Sequence, residues 1–354
     1  MKKPIGVVVV GCGNMGSSHA RAYHQMEGFE IRGLVSRRPE SRQRLSRELG
    51  GYPTFSSLSE ALGQVQADAI SINTYPDSHA RLVREGLQAG CHVFVEKPLA
   101  TTVEEAASLL ALASRTKRKL VVGYILRVHP SWTRFVEMAR SLGKPLVMRM
   151  NLNQQSSGRQ WQTHKALMKS MSPIVDCGVH YVDIMCMMTR SRPVSVSAIG
   201  ARLTPEIDGD MYNYGQLQVR FADGSVGWYE AGWGPMMSET AFFVKDVIGP
   251  GGSVSISDLP GEGSDAIEGH TKTGLLLRHY SALDERGNFE KEDETISLAD
   301  EPGHDELCRL EQAFFLQAIL EDLDLSDHLQ DAVHSLKIVL AADEAYRSGK
   351  TVFL

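Results

Sequence analysis

A fully apolar strand that breaks into closely spaced glycines is the feature of this chain that leaves the fewest folding options. Ile5-Gly6-Val7-Val8-Val9-Val10 is β-branched and apolar without alternation, as expected of a central parallel strand covered on both faces. It runs into Gly11-Cys12-Gly13-Asn14-Met15-Gly16, after which residues 17–26 read as a helix. That order of strand, glycine loop and helix is the dinucleotide fingerprint. Gly11 permits the tight turn, Gly13 lets the backbone approach a pyrophosphate, and Gly16 lets the helix pack on the strand. Phosphates then meet the exposed N–H groups at the helix start, with Asn14 and Met15 beside them. Glycine-rich turns of this form also occur without a ligand; the position directly after an apolar strand favours the cofactor site.

The alternation continues. Strands at 29–35, 67–73, 92–95 and 120–124 are separated by helical stretches at 39–49, 78–89 and 101–114. The last of these opens on Thr101-Thr102-Val103-Glu104-Glu105, where a threonine three residues before a glutamate offers a capping box. About six strands alternating with helices predict an α/β first domain, residues 1–125, with a doubly wound parallel sheet of Rossmann type. Beyond it the pattern changes to a helix at 129–142 and strands at 146–152, 194–201, 212–221, 225–231 and 241–248. A helix at 173–188 interrupts them, and two more, at 305–320 and 331–347, end the chain. Ala222-Asp223-Gly224 is a hairpin signal, so residues 126–354 are expected to form an α+β domain with a large, mainly antiparallel open sheet. The polar stretches 261–265 and 284–294 read as loop.

Composition narrows the function. A chain of 354 residues, 42% hydrophobic and 23% charged, can bury two cores, which excludes a disordered or fibrous protein. With 43 acidic against 37 basic residues the net charge is −6, so no global positive field favours nucleic acid or an anionic membrane, and small molecules are the expected partners. Cys12, Cys91, Cys177, Cys186 and Cys308 show no metal-ligand spacing and are odd in number, which suits a reducing cytoplasm and leaves no metal centre expected. The first residues do not read as a signal peptide, and no run of about 18 apolar residues predicts a membrane span.

Two charged constellations could carry chemistry. Glu96-Lys97-Pro98 follows a predicted buried strand, at the sheet edge where open α/β sheets bind ligands. Lys97 there could hydrogen-bond a substrate hydroxyl and move its proton, or the pair could be an ordinary surface ion pair. Asp176-Cys177-Gly178-Val179-His180 puts a carboxylate and an imidazole four residues apart on one helix face. His180 could take the hydroxyl proton while Asp176 orients it, although such pairs are often only structural. Residues 154–169, read as a loop with Arg159, Trp161, His164, Lys165 and Lys169, either line the substrate mouth, where an aromatic face with cations suits a sugar bearing an anionic group, or form a basic surface loop. At the end of the second strand, Leu34-Val35-Ser36-Arg37-Arg38 lacks the acid that holds both ribose hydroxyls in NAD sites. Ser36, Arg37 and Arg38 therefore favour NADP over NAD.

These motifs together resemble the Gfo/Idh/MocA oxidoreductase family. The likeness spans nearly the whole chain and rests on the glycine loop, on Thr74-Tyr75-Pro76 with His79, on Gly90 through Leu99 with its Glu96-Lys97-Pro98, and on Asp176-x-Gly178-x-His180-x-x-Asp183. It implies Lys97, Asp176 and His180 as the catalytic group, with Thr74, Tyr75, Pro76, His79, Glu96 and Lys97 near the cofactor. Residues 123–130 resemble the segment that links the two domains and add Arg127 to Lys97 and His180 as substrate contacts, with Trp161 joining them from the 154–169 stretch, though Ile125 stands where a polar residue is common. Met171, Ser172 and Pro173 stand where the family often has three glycines. The implied activity is hydride transfer between a nicotinamide and a secondary alcohol of a sugar, sugar derivative or cyclitol. A redox-assisted glycosidase that regenerates bound NAD, and a dinucleotide-binding regulator without turnover, are the alternatives. The resemblance also implies a homodimer or homotetramer formed through the second sheet.

Overall fold

The computed structural model describes residues 3–238, 244–257, 275–297 and 301–354. It divides into two compact units, residues 1–128 with 304–333 and residues 129–303 with 334–354.

In the first unit the strands β1 (Ile5–Val10), β2 (Phe29–Val35), β3 (Thr54–Phe55), β4 (Ala69–Ile72), β5 (His92–Glu96) and β6 (Leu120–Gly123) alternate with helices α1 (Asn14–Gln25), α2 (Pro39–Glu48), α3 (Leu58–Gln64), α4 (His79–Gln88) and α5 (Val103–Thr116). The sheet is wholly parallel in the order β3-β2-β1-β4-β5-β6. The order reverses between β1 and β4, the point outside which doubly wound sheets bind ligands. Val7, Val8 and Val9 are fully buried, as a strand covered on both faces requires. Thr102 caps α5 by accepting from the Glu105 N–H at 3.2 Å, as the threonine–glutamate spacing predicts.

The second unit holds α6 (Pro130–Arg140), β7 (Val147–Gln155), α7 (Gly158–Leu167), α8 (Pro173–Asp176), α9 (Gly178–Thr189), β8 (Pro193–Ala201), β9 (Tyr214–Phe221), β10 (Val226–Gly234), β11 (Lys245–Gly249), β12 (Gly252–Ser257), β13 (Leu275–Tyr280) and β14 (Glu294–Ser297). With β15 (Val352–Phe353) they make a sheet in the order β14-β13-β12-β11-β7-β10-β9-β8-β15. Its pairings are antiparallel except for β7 with β10, which run parallel. The stretch 284–294 is loop up to the start of β14, closed by a Leu283–Phe289 bridge, while 261–265 and 241–243 lie outside the described residues. No described helix is long and apolar enough to cross a membrane.

The chain passes to the second unit after Val128, near the expected boundary at 125, but it does not stay there. It returns through α10 (His304–Leu320) and the first part of α11 (Ser326–Ser348). Phe315 of α10 is fully buried, 6.1 Å from the rings of both Phe29 and Phe94, and it shares one apolar cluster with Val7, Val9, Ala20 and Tyr23. Leu316 fills the space that Gly28 leaves open. Because Phe315 closes the core of a sheet built hundreds of residues earlier, Phe315→Ala should destabilise the first unit by about 3–5 kcal/mol, the range for emptying a buried aromatic site. Denaturant unfolding followed by a probe in the first unit checks this; an unchanged midpoint would show that the return helix is not part of that core.

Candidate active site

The glycine loop is built by close approaches. Gly11 has φ +97°, and a Cβ on it would lie 2.2 Å from the Asn73 carbonyl oxygen. A Cβ on Gly16 would lie 1.8 Å from the Gly11 carbonyl oxygen. Neither site admits a side chain. Gly13 is different: a Cβ there meets nothing within 4 Å. Gly13 is the N-cap of α1, no side chain caps that helix, and no acidic residue stands in its first turn. The first N–H groups of such a helix have no intrahelical acceptor, so backbone donors and the positive end of the helix dipole face open space that suits a pyrophosphate.

The neighbouring strand ends complete this edge. After β2, Ser36 is half-buried and Arg37 and Arg38 are exposed. Sequence reasoning missed Arg42, one helical turn on, whose Nη1 donates to the Ser36 carbonyl at 2.7 Å while its Nε is buried without a hydrogen-bond partner. The segment contains three arginines, so position alone did not distinguish the one that folds back. After β4, Thr74 Oγ1 lies 2.7 Å from Ser78 Oγ, Pro76 opens a short helical turn, and Tyr75 stands 68% exposed. His79 is fully buried with Nδ1 2.7 Å from the Pro98 carbonyl and Nε2 2.9 Å from the Thr74 carbonyl. Its ring therefore braces the segments that follow β4 and β5.

At the end of β5, Glu96 Oε1 lies 2.8 Å from Nε2 of His19 in α1, and Oε2 accepts from the Lys97 amide at 3.2 Å. Burial pushes the Glu96 carboxyl up, but the His19 hydrogen bond and the Lys97 charge leave it below the usual carboxylate range. Lys97 is half-buried at the carboxyl edge of the sheet. Arg127 has a structural partner: Nη2 lies 2.9 Å from Asp331 Oδ2, with both side chains mostly buried. That pair ties the turn after β6 to the returning chain.

In the second unit the Asp-x-Gly-x-His segment is two helices meeting at Cys177, with Asp176 ending α8 and His180 in the first turn of α9. Asp176 is half-buried and His180 is 6% exposed. Gly178 is required because a Cβ would lie 2.9 Å from the Tyr229 ring. Ser172 caps α8 by accepting from the Val175 N–H, and donates to Asp343 at 2.7 Å. Tyr212 donates to the same Asp343 oxygen at 2.6 Å. Where the family often has glycines, this chain thus has a capped start with Pro173 in the first turn. The sequence carried no signal for Tyr212 and Asp343, which meet Ser172 only through tertiary packing.

The expected basic loop at 154–169 is corrected. Most of it is helix α7, and Trp161 is buried, its Nε1 3.4 Å from Glu206 Oε1. Lys165 pairs with Glu206 at 2.6 Å and lies 5.5 Å from the Trp161 ring. His164 stacks on Trp233 at 4.4 Å, and burial pushes its pKa down to about 4 against the opposing charge of Asp176. Two of the expected cations are therefore neutralised, Lys165 by a carboxylate and His164 by loss of its proton.

The carboxyl edge of the first sheet carries an open, uncapped glycine loop with a lysine on the same edge, and the sequence matches the model of an oxidoreductase family with an NAD-binding Rossmann fold over residues 5–124. The GFO/IDH/MocA C-terminal domain matches over residues 138–249. The chain belongs to the Gfo/Idh/MocA family. Within it, the chain is 28% identical over 201 residues to a UDP-N-acetylglucosamine 3-dehydrogenase of Acidithiobacillus ferrooxidans, a match that spans 56% of this chain and only 59% of that protein. It is 24% identical to the scyllo-inositol 2-dehydrogenase (NAD(+)) of Bacillus subtilis, over 100% of this chain and 97% of that one. Its fold is similar to that of the scyllo-inositol dehydrogenase of Lactobacillus casei, solved with NAD(H) and scyllo-inositol, at a TM-score of 0.79 and 21% identity over 99% of each chain.

The contrast between the glycines is testable. Gly13→Ala should leave thermal stability unchanged and weaken dinucleotide binding about tenfold or more, ~1.4 kcal/mol, whereas Gly16→Ala should lower stability itself. Titration calorimetry beside thermal melts reads both. Equal melting losses in the two variants would show that Gly13 is a packing residue.

Proposed function

We propose that this protein is an NAD(P)-dependent oxidoreductase acting on a secondary alcohol of a sugar, sugar derivative or cyclitol. The observation that carries the proposal is the open space over Gly13 at an uncapped helix start, on the same sheet edge as Lys97. A nicotinamide dinucleotide bound there would supply the hydride acceptor. Lys97 donates a hydrogen bond to the substrate hydroxyl and orients it; Lys97 or His180 takes the hydroxyl proton, and Asp176 tunes that transfer. The substrate class follows the relatives, whose names specify cyclitol and nucleotide-sugar dehydrogenases. The buried Trp161 and the Lys165–Glu206 pair give no support to a substrate bearing an anionic group.

The preferred dinucleotide in this proposal is NADP. Ser36 brings no negative charge to repel a 2′-phosphate, and Arg37, Arg38 and Arg42 surround it in sequence. A homodimer or homotetramer through the second sheet would cover Ile199 and Phe353, 63% and 79% exposed on the paired strands β8 and β15.

Lys97→Ala should lower kcat by roughly 100-fold or more, as loss of general acid–base catalysis does, with much less effect on dinucleotide affinity, and His180→Ala should behave similarly. Turnover at the wild-type rate in both variants would contradict the assignment. Ser36→Asp should move the ratio of kcat/KM values toward NAD by ~1–3 kcal/mol, the scale of charge-assisted hydrogen bonds. A wild type that already prefers NAD would refute the NADP preference while leaving the oxidoreductase proposal intact.

A further inference from the structure

The return helix brings polar as well as apolar groups to the first unit. His19 of α1 lies between two of its neighbours, with Nε2 2.8 Å from Glu96 Oε1 and Nδ1 2.8 Å from Gln312 Nε2. The Gln312 amide donates to Nδ1, which leaves the ring proton on Nε2 for Glu96. The Tyr23 hydroxyl donates in turn to the Gln312 side-chain oxygen. Each group in this chain, from Tyr23 through Gln312 and His19 to Glu96, is satisfied.

Glu311 is not. It is 3% exposed, and its Oε1 is buried with no hydrogen-bond partner. That oxygen lies 3.4 Å, and the Glu96 Cα 3.5 Å, from the point a Cβ on Gly123 would occupy. Gly123 is the residue of β6 paired with Glu96 of β5. A side chain at 123 would press first on the Phe94 ring, 3.0 Å away, and the carboxyl from α10 lies beside that same point, next to the β5–β6 pairing at Glu96. His19, Cys308 and Glu311 also present metal-ligand atoms within 4.8 Å of one another. Both His19 nitrogens are already engaged, however, so a cation would first have to break the bond to Glu96 or to Gln312.

We propose that Glu311 is a positioning residue for the Glu96-Lys97 corner: its buried carboxyl, beside the β6 partner of Glu96 and within 4.8 Å of a ligand atom of His19, backs the carboxylate that meets His19 and the Lys97 amide. The proposal rests on Lys97 acting in catalysis. Two carboxyls crowded into one buried site do not both ionise. At Glu311, burial and then the Glu96 charge push the carboxyl well above the usual range, whereas the His19 hydrogen bond and the Lys97 charge hold Glu96 below it. The other titratable groups around the pair are Tyr23 from α1, His79 from α4, Lys97 after β5, and His304, Asp305 and Cys308 from α10. Burial and the Glu96 charge thus favour the protonated form of Glu311. Its ionisation, as the pH rises through this raised pKa, puts a second negative charge beside Glu96 and loosens the corner that presents Lys97.

Two variants and one spectrum test this. Glu311→Gln reproduces the neutral acid, so kcat at neutral pH should stay near wild type and should hold further into the alkaline range than wild type does. Glu311→Ala removes the support and should lower kcat roughly 10- to 100-fold, the scale of a displaced catalytic group, with KM for the dinucleotide little changed. The infrared spectrum of the wild type at neutral pH should show the carbonyl band of a buried protonated carboxylic acid, lost in Glu311→Gln. A missing band, or a Glu311→Gln pH profile that superimposes on the wild-type one, would overturn the proposal. The band is read without turnover, so its failure is distinguishable from that of the Lys97 assignment, which Lys97→Ala tests by itself.

Discussion

The close approach of α1 to the end of β1, with Gly16 against the Gly11 carbonyl oxygen, is the constraint on which the first unit's chemistry depends. A Cβ on Gly16 would lift the helix from the sheet, and one on Gly11 would push the turn off the Asn73 backbone that follows β4. With the helix seated, His19 comes one turn further along to meet Glu96, and Tyr23 one turn beyond that to meet Gln312. The same short contact leaves Gly13 facing open space at the helix start. A single backbone approach therefore fixes the anion-binding loop and the strand end that carries Lys97.

The arrangement is completed by a segment remote in sequence. α10 contributes Phe315 to the core and Gln312 and Glu311 to the polar layer behind Glu96. Apolar packing and polar support arrive on the same helix, so losses of stability and of the proposed catalytic geometry are coupled at this place. In the second unit, the Asp343 carboxyl plays a comparable supporting part by holding Ser172 at the start of the helix pair that bears Asp176 and His180.

What was legible in the sequence is what local physics determines. The Rossmann sheet could be read because buried parallel strands are continuous apolar runs and the glycine spacing reports a backbone clash. The two-residue β3 is too short to carry a pattern, and the polar and basic residues of α7 hide both its helix and the burial of Trp161. The return of α10 to the first unit was not legible, since helical periodicity reports an apolar face but not what covers it. The same limit applied to the site. Lys97, Asp176 and His180 stand in short motifs, whereas Arg42, Asp343 and Glu311 act through folding back or through contacts across more than a hundred residues.

The most direct measurement is the stoichiometry of reduced dinucleotide formed per alcohol consumed, across a panel of sugars and cyclitols with NAD and NADP each in excess. Hydride transfer as a net reaction predicts one reduced dinucleotide for every alcohol oxidised, with at least one member of the panel turned over. Substrate consumed with no net reduced dinucleotide, or tight dinucleotide binding with no turnover of any member, would contradict it.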